Sequence, residues 1–283
     1  FTDKLGRDVS ISQKPQRVII LDYNALDLWY HAGGTAVGRT GHILVDSRAD
    51  EDEMGSEIKN VPIMNEAHDP VNIEMIVAQE PDLIIISPTN KTHLEAVESF
   101  EQYNIPYFAW DYDDFDGFIE NLELFTLLND RGDLYEKYAS DNIIRVNAVR
   151  EKISGQEPVT MVMLLPHATN GIYALANSGY LGNLCEDMNL ENIAGVETRT
   201  VVSIESLLDI DPEWIFSRGG SGDGSEANAK AIFESYPLWS ELTAVKEGRF
   251  QHLPAELFLY HANTRYADAY EYLANLVYPQ IFN

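Results

Sequence analysis

The sequence predicts an α/β protein of two Rossmann-like lobes with parallel sheets, joined by a single long bridging helix, with a ligand cleft between the lobes. Three observations predict it. First, one segment occurs twice, as IEMIVAQEPDLIIIS at Ile73–Ser87 and as IESLLDIDPEWIFS at Ile204–Ser217. In both copies a Glu (Glu74, Glu205) stands seven residues before a proline (Pro81, Pro212) and opens an apolar helical stretch. The triplets Glu80-Pro81-Asp82 and Asp211-Pro212-Glu213 stop that stretch, and a buried-type strand follows at once. Second, strand and helix signals alternate along both halves. Third, Arg131–Ile153 is a helical segment without Pro or Gly after Gly132. The expected division is 1–128 for the first lobe, 129–154 for the bridging helix and 155–283 for the second lobe.

The elements follow in order. Val18–Leu21 is a short apolar run after Pro15 and reads as a buried strand. Asn24–His31 reads as a helix stopped by Gly33-Gly34. Ala36–Gly38 is a short strand leading into a loop, Arg39–Ser47, and the acidic stretch 48–60 reads as surface. Asn72–Ala78 is a helix with Asp69 or Asn72 as its cap. Leu83–Ile86 is a strand, Thr92–Tyr103 a helix, Tyr107–Trp110 a strand and Phe115–Leu128 a helix. In the bridging segment Leu134, Tyr138, Val149 and Ile153 keep a helical spacing. At about 1.5 Å per residue it spans about 34 Å, enough to cross from lobe to lobe and to resist large hinge motion. Val159–Leu165 and Gly171–Leu175 are strands, and Ser178–Met188 is a helix capped by Ser178. Ile204–Leu208 is a helix, Trp214–Ser217 a strand, Arg218–Gly224 a glycine-rich loop and Ser225–Ser235 a helix. Arg249–Leu253 is a strand, and Thr264–Tyr278 closes the chain as a helix ended by Pro279.

Composition narrows the function. A net charge of −27 excludes a nucleic-acid binder and a protein that adheres to anionic lipid, since both need a basic surface. A single cysteine, Cys185, excludes an internal disulfide and a thiolate metal cluster. No run of about 18 apolar residues spans a membrane. The chain opens on Phe1-Thr2-Asp3 with neither an initiator Met nor an apolar signal region, as expected of an exported chain whose targeting segment has been removed. The sequence has no G-x-S-x-G, G-x-x-x-x-G-K-[ST] or H-E-x-x-H, and Gly219–Gly224 does not fit G-x-G-x-x-G after a strand, so no enzyme is expected. Tyr112–Gly117 with Glu123 approaches calcium-loop spacing. Its first ligand position holds Tyr112, and an acidic helix start accounts for it equally well.

These residues resemble a known family. Asp3-Lys4-Leu5-Gly6-Arg7-Asp8-Val9 with Pro15-Gln16-Arg17-Val18-Ile19 is similar to the usual start of the class III periplasmic binding proteins. These are the substrate-binding proteins of ABC importers for iron–siderophores, haem and cobalamin. Asn72-Ile73-Glu74 before Pro81-Asp82-Leu83-Ile84, and Val202-Ser203-Ile204-Glu205 before Pro212, look like that family's element in each lobe. Gly248-Arg249 through Leu253-Pro254, then Arg265 and Leu276-Val277-Tyr278-Pro279, is similar to its ending. The resemblance implies two lobes, a bridging helix and a shallow cleft that closes little. It also implies that Glu74 and Glu205 pair with arginines of the permease. Rim ion pairs of that kind steer docking and fix orientation more than they add affinity. The alternative is that each Glu only begins a helix, where its charge suits the dipole.

In open α/β sheets ligands lie beyond the carboxyl ends of the strands. That rule selects Tyr23, after the first strand, for contact with a ferric centre or stacking on a macrocycle. Arg39 can clamp a carboxylate or catecholate with its planar fork, and His42 can donate a hydrogen bond or ligate iron. His167 and Arg218 end second-lobe strands. Tyr260 and His261 follow the last strand, in a loop that lines the cleft in relatives. Each is equally readable as a packing or surface residue. The resulting expectation is an extracytoplasmic protein, periplasmic or lipid-anchored, that delivers an iron complex to an ABC importer. A ferric siderophore is the first choice of ligand, and haem and cobalamin follow. Beyond that iron chelate no cofactor is expected, and His167 and Tyr260 reach metal only through the complex. The chain is expected to be a monomer. The alternatives of another class are a sensor that docks on a membrane receptor and a metal-centre scaffold or enzyme, and the single cysteine argues against the latter.

Overall fold

The computed structural model describes residues 1–42, 55–66, 69–219 and 225–282. The chain forms two compact units. The first comprises Phe1–Tyr112 and Asp116–Ser140, the second Asp113–Phe115 and Asp141–Asn283.

The first unit holds five strands: β1 (Val18–Ile20), β2 (Gly38–Gly41), β3 (Ile63–Glu66), β4 (Leu83–Ile86) and β5 (Tyr107–Ala109). They lie in the order β3-β2-β1-β4-β5, and every described pairing is parallel. The helices are α1 (Tyr23–His31), α2 (Gly55–Lys59), α3 (Ile73–Ala78), α4 (Lys91–Gln102) and α5 (Phe115–Leu128). One face of the sheet packs Ile19, Leu21, Met64, Ile76, Ile84, Ile86 and Phe100 together. The Trp29 ring meets Phe125 edge-on and donates its indole N–H to the Thr35 carbonyl at 3.0 Å. Gly34 is required there, because a Cβ would lie 2.1 Å from the Trp29 indole nitrogen. The opening motif is a clasp. The buried Asp3 carboxylate accepts from the Leu5, Arg7 and Ala109 amides and from the Arg7 guanidinium. Burial works against its charge, but those donors hold Asp3 below its ordinary value.

Helix α6 (Gly132–Ile153) belongs to the first unit through Ser140 and to the second from Asp141. In the first unit Tyr138 meets His31 edge-on. In the second, Asn142 donates to the Thr264 carbonyl and accepts from the Ala267 amide, and Arg145 pairs with Asp268 and Glu271.

The second unit has β6 (Val159–His167), β7 (Gly171–Ala174), β8 (Leu190–Asn192), β9 (Thr200–Val202), β10 (Trp214–Ser217) and β11 (Phe250–His252). Their order is β11-β10-β6-β7-β9, with β8 beside the start of β6. Strands β11, β10, β6 and β8 pair in parallel, whereas β7 runs antiparallel to both β6 and β9. The helices are α7 (Gly179–Asp187), α8 (Ile204–Ile210), α9 (Glu226–Glu234), α10 (Thr243–Lys246), α11 (Ala255–Phe258), α12 (Tyr266–Val277) and α13 (Pro279–Phe282). A core of Val162, Leu164, Ile215, Phe233 and Trp239 fills one face of this sheet.

Several expectations are corrected. Gly38–Gly41 is strand, so Arg39 lies inside β2 and not in a loop. Strand β6 continues past Leu165 to His167. Ser178 occupies the cap position of α7, but its side chain makes no cap hydrogen bond. Strands β3, β8 and β9 are not among the expected elements. Of the expected loop Arg39–Ser47, residues 43–47 lie outside the described residues, as do 48–54 of the acidic stretch 48–60 and 220–224 of the glycine-rich loop Arg218–Gly224.

Candidate functional site

The repeat is built alike in both units. Asn72 caps α3 by accepting from the Met75 amide at 3.0 Å, and Ser203 caps α8 by accepting from the Ser206 amide at 3.1 Å. Glu74 and Glu205 are then the second helical residues, both exposed. Glu80 and Asp211 take left-handed backbone, with φ of 47° and 40°, to turn the chain before the proline. The acid after each proline bonds across to the sheet. Asp82 accepts from the Gln16 and Arg17 amides at 2.7 and 2.9 Å, just ahead of β1. Glu213 accepts from the Thr160 amide at 3.0 Å, in β6. Because α3 follows β3 and α8 follows β9, both helices start at the pole where the parallel strands end. Glu74 therefore shares a pole with the loops after β1 and β2, and Glu205 with those after β6 and β10.

At that pole of the first unit, Asp22 caps α1 by accepting from the Asn24 and Ala25 amides, both at 2.9 Å. Burial pushes its pKa up to about 6, with the nearby Asp111 charge acting in the same direction and the two amides opposing. Tyr23 begins the helix. Its ring stacks on His42, with centroids 4.5 Å apart and planes 17° apart. Both are half-buried. The structure thus brings these two candidates into contact. Arg39 is buried in β2, where Nη1 donates to the Thr40 carbonyl at 3.0 Å.

In the second unit His167 ends β6, half-buried, and its Nδ1 accepts from the Thr169 and Asn170 amides at 3.3 and 3.2 Å, closing the β6–β7 turn. Arg218 follows β10, and its Nη1 donates to the Leu259 carbonyl at 2.8 Å. Tyr260, half-buried, and buried His261 follow α11. The His261 ring meets Tyr180 edge-on at 5.3 Å, while the Tyr180 hydroxyl donates to the Leu257 carbonyl at 2.7 Å. Sequence reasoning missed two features. One is the Asp22 carboxylate, visible as an N-cap acid before a helix. The other is the buried pair Ser217 Oγ and His252 Nδ1, 2.8 Å apart, which no local pattern signals.

The family model described as periplasmic binding protein matches residues 18–257. This chain belongs to that family. It is a binding protein of an extracytoplasmic family, and not an enzyme. Among the described residues no helix is long and apolar enough to cross a membrane. The vitamin B12-binding protein of Vibrio campbellii is 25% identical over 229 residues, 79% of each chain. The Fe(3+)-citrate-binding protein YfmC of Bacillus subtilis is 24% identical over 259 residues, 87% of this chain and 75% of the relative. Among solved structures, the TroA-like periplasmic binding protein FepB of Veillonella parvula superposes with a TM-score of 0.79 at 20% identity, covering 100% of this chain and 90% of that one. That likeness fixes the fold: two α/β units with largely parallel sheets.

Proposed function

We propose that the protein captures an iron complex, a ferric siderophore first, and delivers it to the permease of an ABC importer; haem or the cobalt complex cobalamin is the alternative cargo. The observation that carries the choice of iron is the Tyr23–His42 pair at the carboxyl pole of the first sheet. It joins a phenol oxygen donor to an imidazole, two groups suited to a ferric centre or to the rim of its chelator. The citrate–iron relative supports this reading, and the B12-binding relative keeps cobalamin as the competing cargo. His167, Arg218, Tyr260 and His261 supply the contacts of the second unit, with Arg39 behind the first. The complex is held through its chelator, and the protein carries no cofactor of its own. Glu74 and Glu205 dock the permease, and the protein acts as an extracytoplasmic monomer, periplasmic or lipid-anchored.

Two experiments test this reading. Tryptophan fluorescence is titrated with a ferric catecholate, a ferric hydroxamate, haemin and cobalamin. Saturable quenching by an iron complex at submicromolar concentration is expected, and a response to cobalamin alone overturns the choice of iron. For docking, Glu74→Ala with Glu205→Ala leaves ligand affinity intact and abolishes uptake. Undiminished uptake removes the assignment.

A further inference from the structure

In the second unit, three sulfur-bearing side chains line one cavity of about 30 Å³. Met161 and Met163 stand two residues apart on β6 and so share a face of the sheet. Cys185 reaches the same cavity from α7, one turn beyond Leu181. All three are buried, Cys185 fully. The chain has six methionines and one cysteine, so three of its seven sulfur-bearing side chains line this one cavity. The space suits a single water-sized or ion-sized occupant. Exposed Asn177 and Ser178 line the same cavity and give it a way in from solvent. Gly182 keeps it open. A Cβ there would stand 2.7 Å from the Asn177 carbonyl carbon, so α7 rests directly on that turn with no side chain filling the space.

We propose that this cavity binds one soft monovalent metal ion, Cu(I) or Ag(I), through the Cys185 sulfur and the thioethers of Met161 and Met163. Thiolate and thioether donors select metals of this class, whereas hard cations need oxygen ligands. Among the described residues no His, Asp or Glu lines the cavity, which leaves Ca(II) without carboxylates and Zn(II) with Cys185 as its single usual donor. Arg218 lines it too and favours the thiolate. On binding, the Cys185 S–H bond breaks, its proton passes to solvent and a sulfur–metal bond forms. The metal stays monovalent and no electron moves. Without metal, burial keeps the thiol protonated, its pKa pushed up to about 12, so it stays unreactive. The sulfur donors are not among the residues proposed for the iron-complex cargo, and Arg218 is the one residue common to both sites.

The test uses the purified whole chain and Ag(I). Calorimetric titration is expected to give one ion bound and one proton released per chain. Cys185→Ser is expected to abolish binding. Met161→Leu with Met163→Leu, which conserves volume, is expected to weaken it at least about tenfold. X-ray absorption at the silver edge on the loaded wild-type protein is expected to show a shell of three sulfurs. A double methionine variant that binds as tightly as wild type, or a shell with one sulfur, overturns the proposal. If Cys185→Ser fails to fold, the wild-type absorption spectrum decides alone.

Discussion

Asp22→Asn isolates the half-buried cap acid next to Tyr23. An asparagine at this position keeps an oxygen to accept from the Asn24 and Ala25 amides, so the cap survives and only the charge is lost. The wild-type carboxyl is raised from 3.8 to about 6, mainly by burial. A raised folded-state pKa means that the native chain holds this proton more tightly than the unfolded chain does. The resulting stability is fully present below pH 3.8 and is lost as pH rises through about 6. A shift of about two units corresponds to about 3 kcal/mol. Relative to the variant, the wild type is therefore expected to lose about 2.5 kcal/mol between pH 4 and pH 7.5. Urea unfolding of both proteins across this range gives the difference, and carbon-13 NMR of the Asp22 carboxyl gives the midpoint directly. Parallel stability curves for the two proteins, or a carboxyl midpoint near the unfolded value, would refute the reasoning.

Two further substitutions probe the framework. Gly182→Ala drives a Cβ into the Asn177 backbone and is expected to cost about 1–3 kcal/mol, read as a lower melting temperature; an unchanged one would mean that α7 does not rest on that turn. Asp82→Ala removes the acceptor of two backbone amides, and Glu213→Ala that of one amide and the rotatable Thr160 hydroxyl, which water can satisfy instead, so Asp82→Ala is expected to be the more destabilising, by up to about 1 kcal/mol in urea unfolding. The reverse order would count against the charge-assisted bonds as the link between helix and sheet.

Most of the fold was legible because its main elements carry local signals. Helix α5 runs over Phe115–Leu128 as its pattern predicts, and the four apolar residues of β4 are all buried. What escaped lacks period. Strands β8 and β9 are three residues long and mostly polar or exposed, so only their pairing with β6 and β7 defines them. Arg39 misled because a charged residue reads as loop, whereas here the Thr40 carbonyl takes its guanidinium inside the sheet. The Tyr23–His42 stack joins ends of two adjacent strands, and sequence listed its members without showing that they touch. Ser217 and His252 meet through parallel register between β10 and β11, a relation that lies beyond any sequence window.

The shared pole of the ligand-side loops and the repeated glutamates leaves the opposite end of each sheet idle, and that end is where foreign sequence can be grafted. Residues 154–158 form an exposed turn feeding β6 from its amino end, and a Cβ at Gly155 meets nothing within 4 Å. Glu101–Asn104, equally exposed, leads into β5 in the same way. A fluorophore or peptide tag inserted at 154–158 lies at the end of the second sheet opposite His167 and Glu205, and one inserted at Tyr103–Asn104 lies at the end of the first sheet opposite Tyr23 and Glu74. A reporter placed there would leave capture and delivery free to proceed while the protein is watched or tethered to a surface.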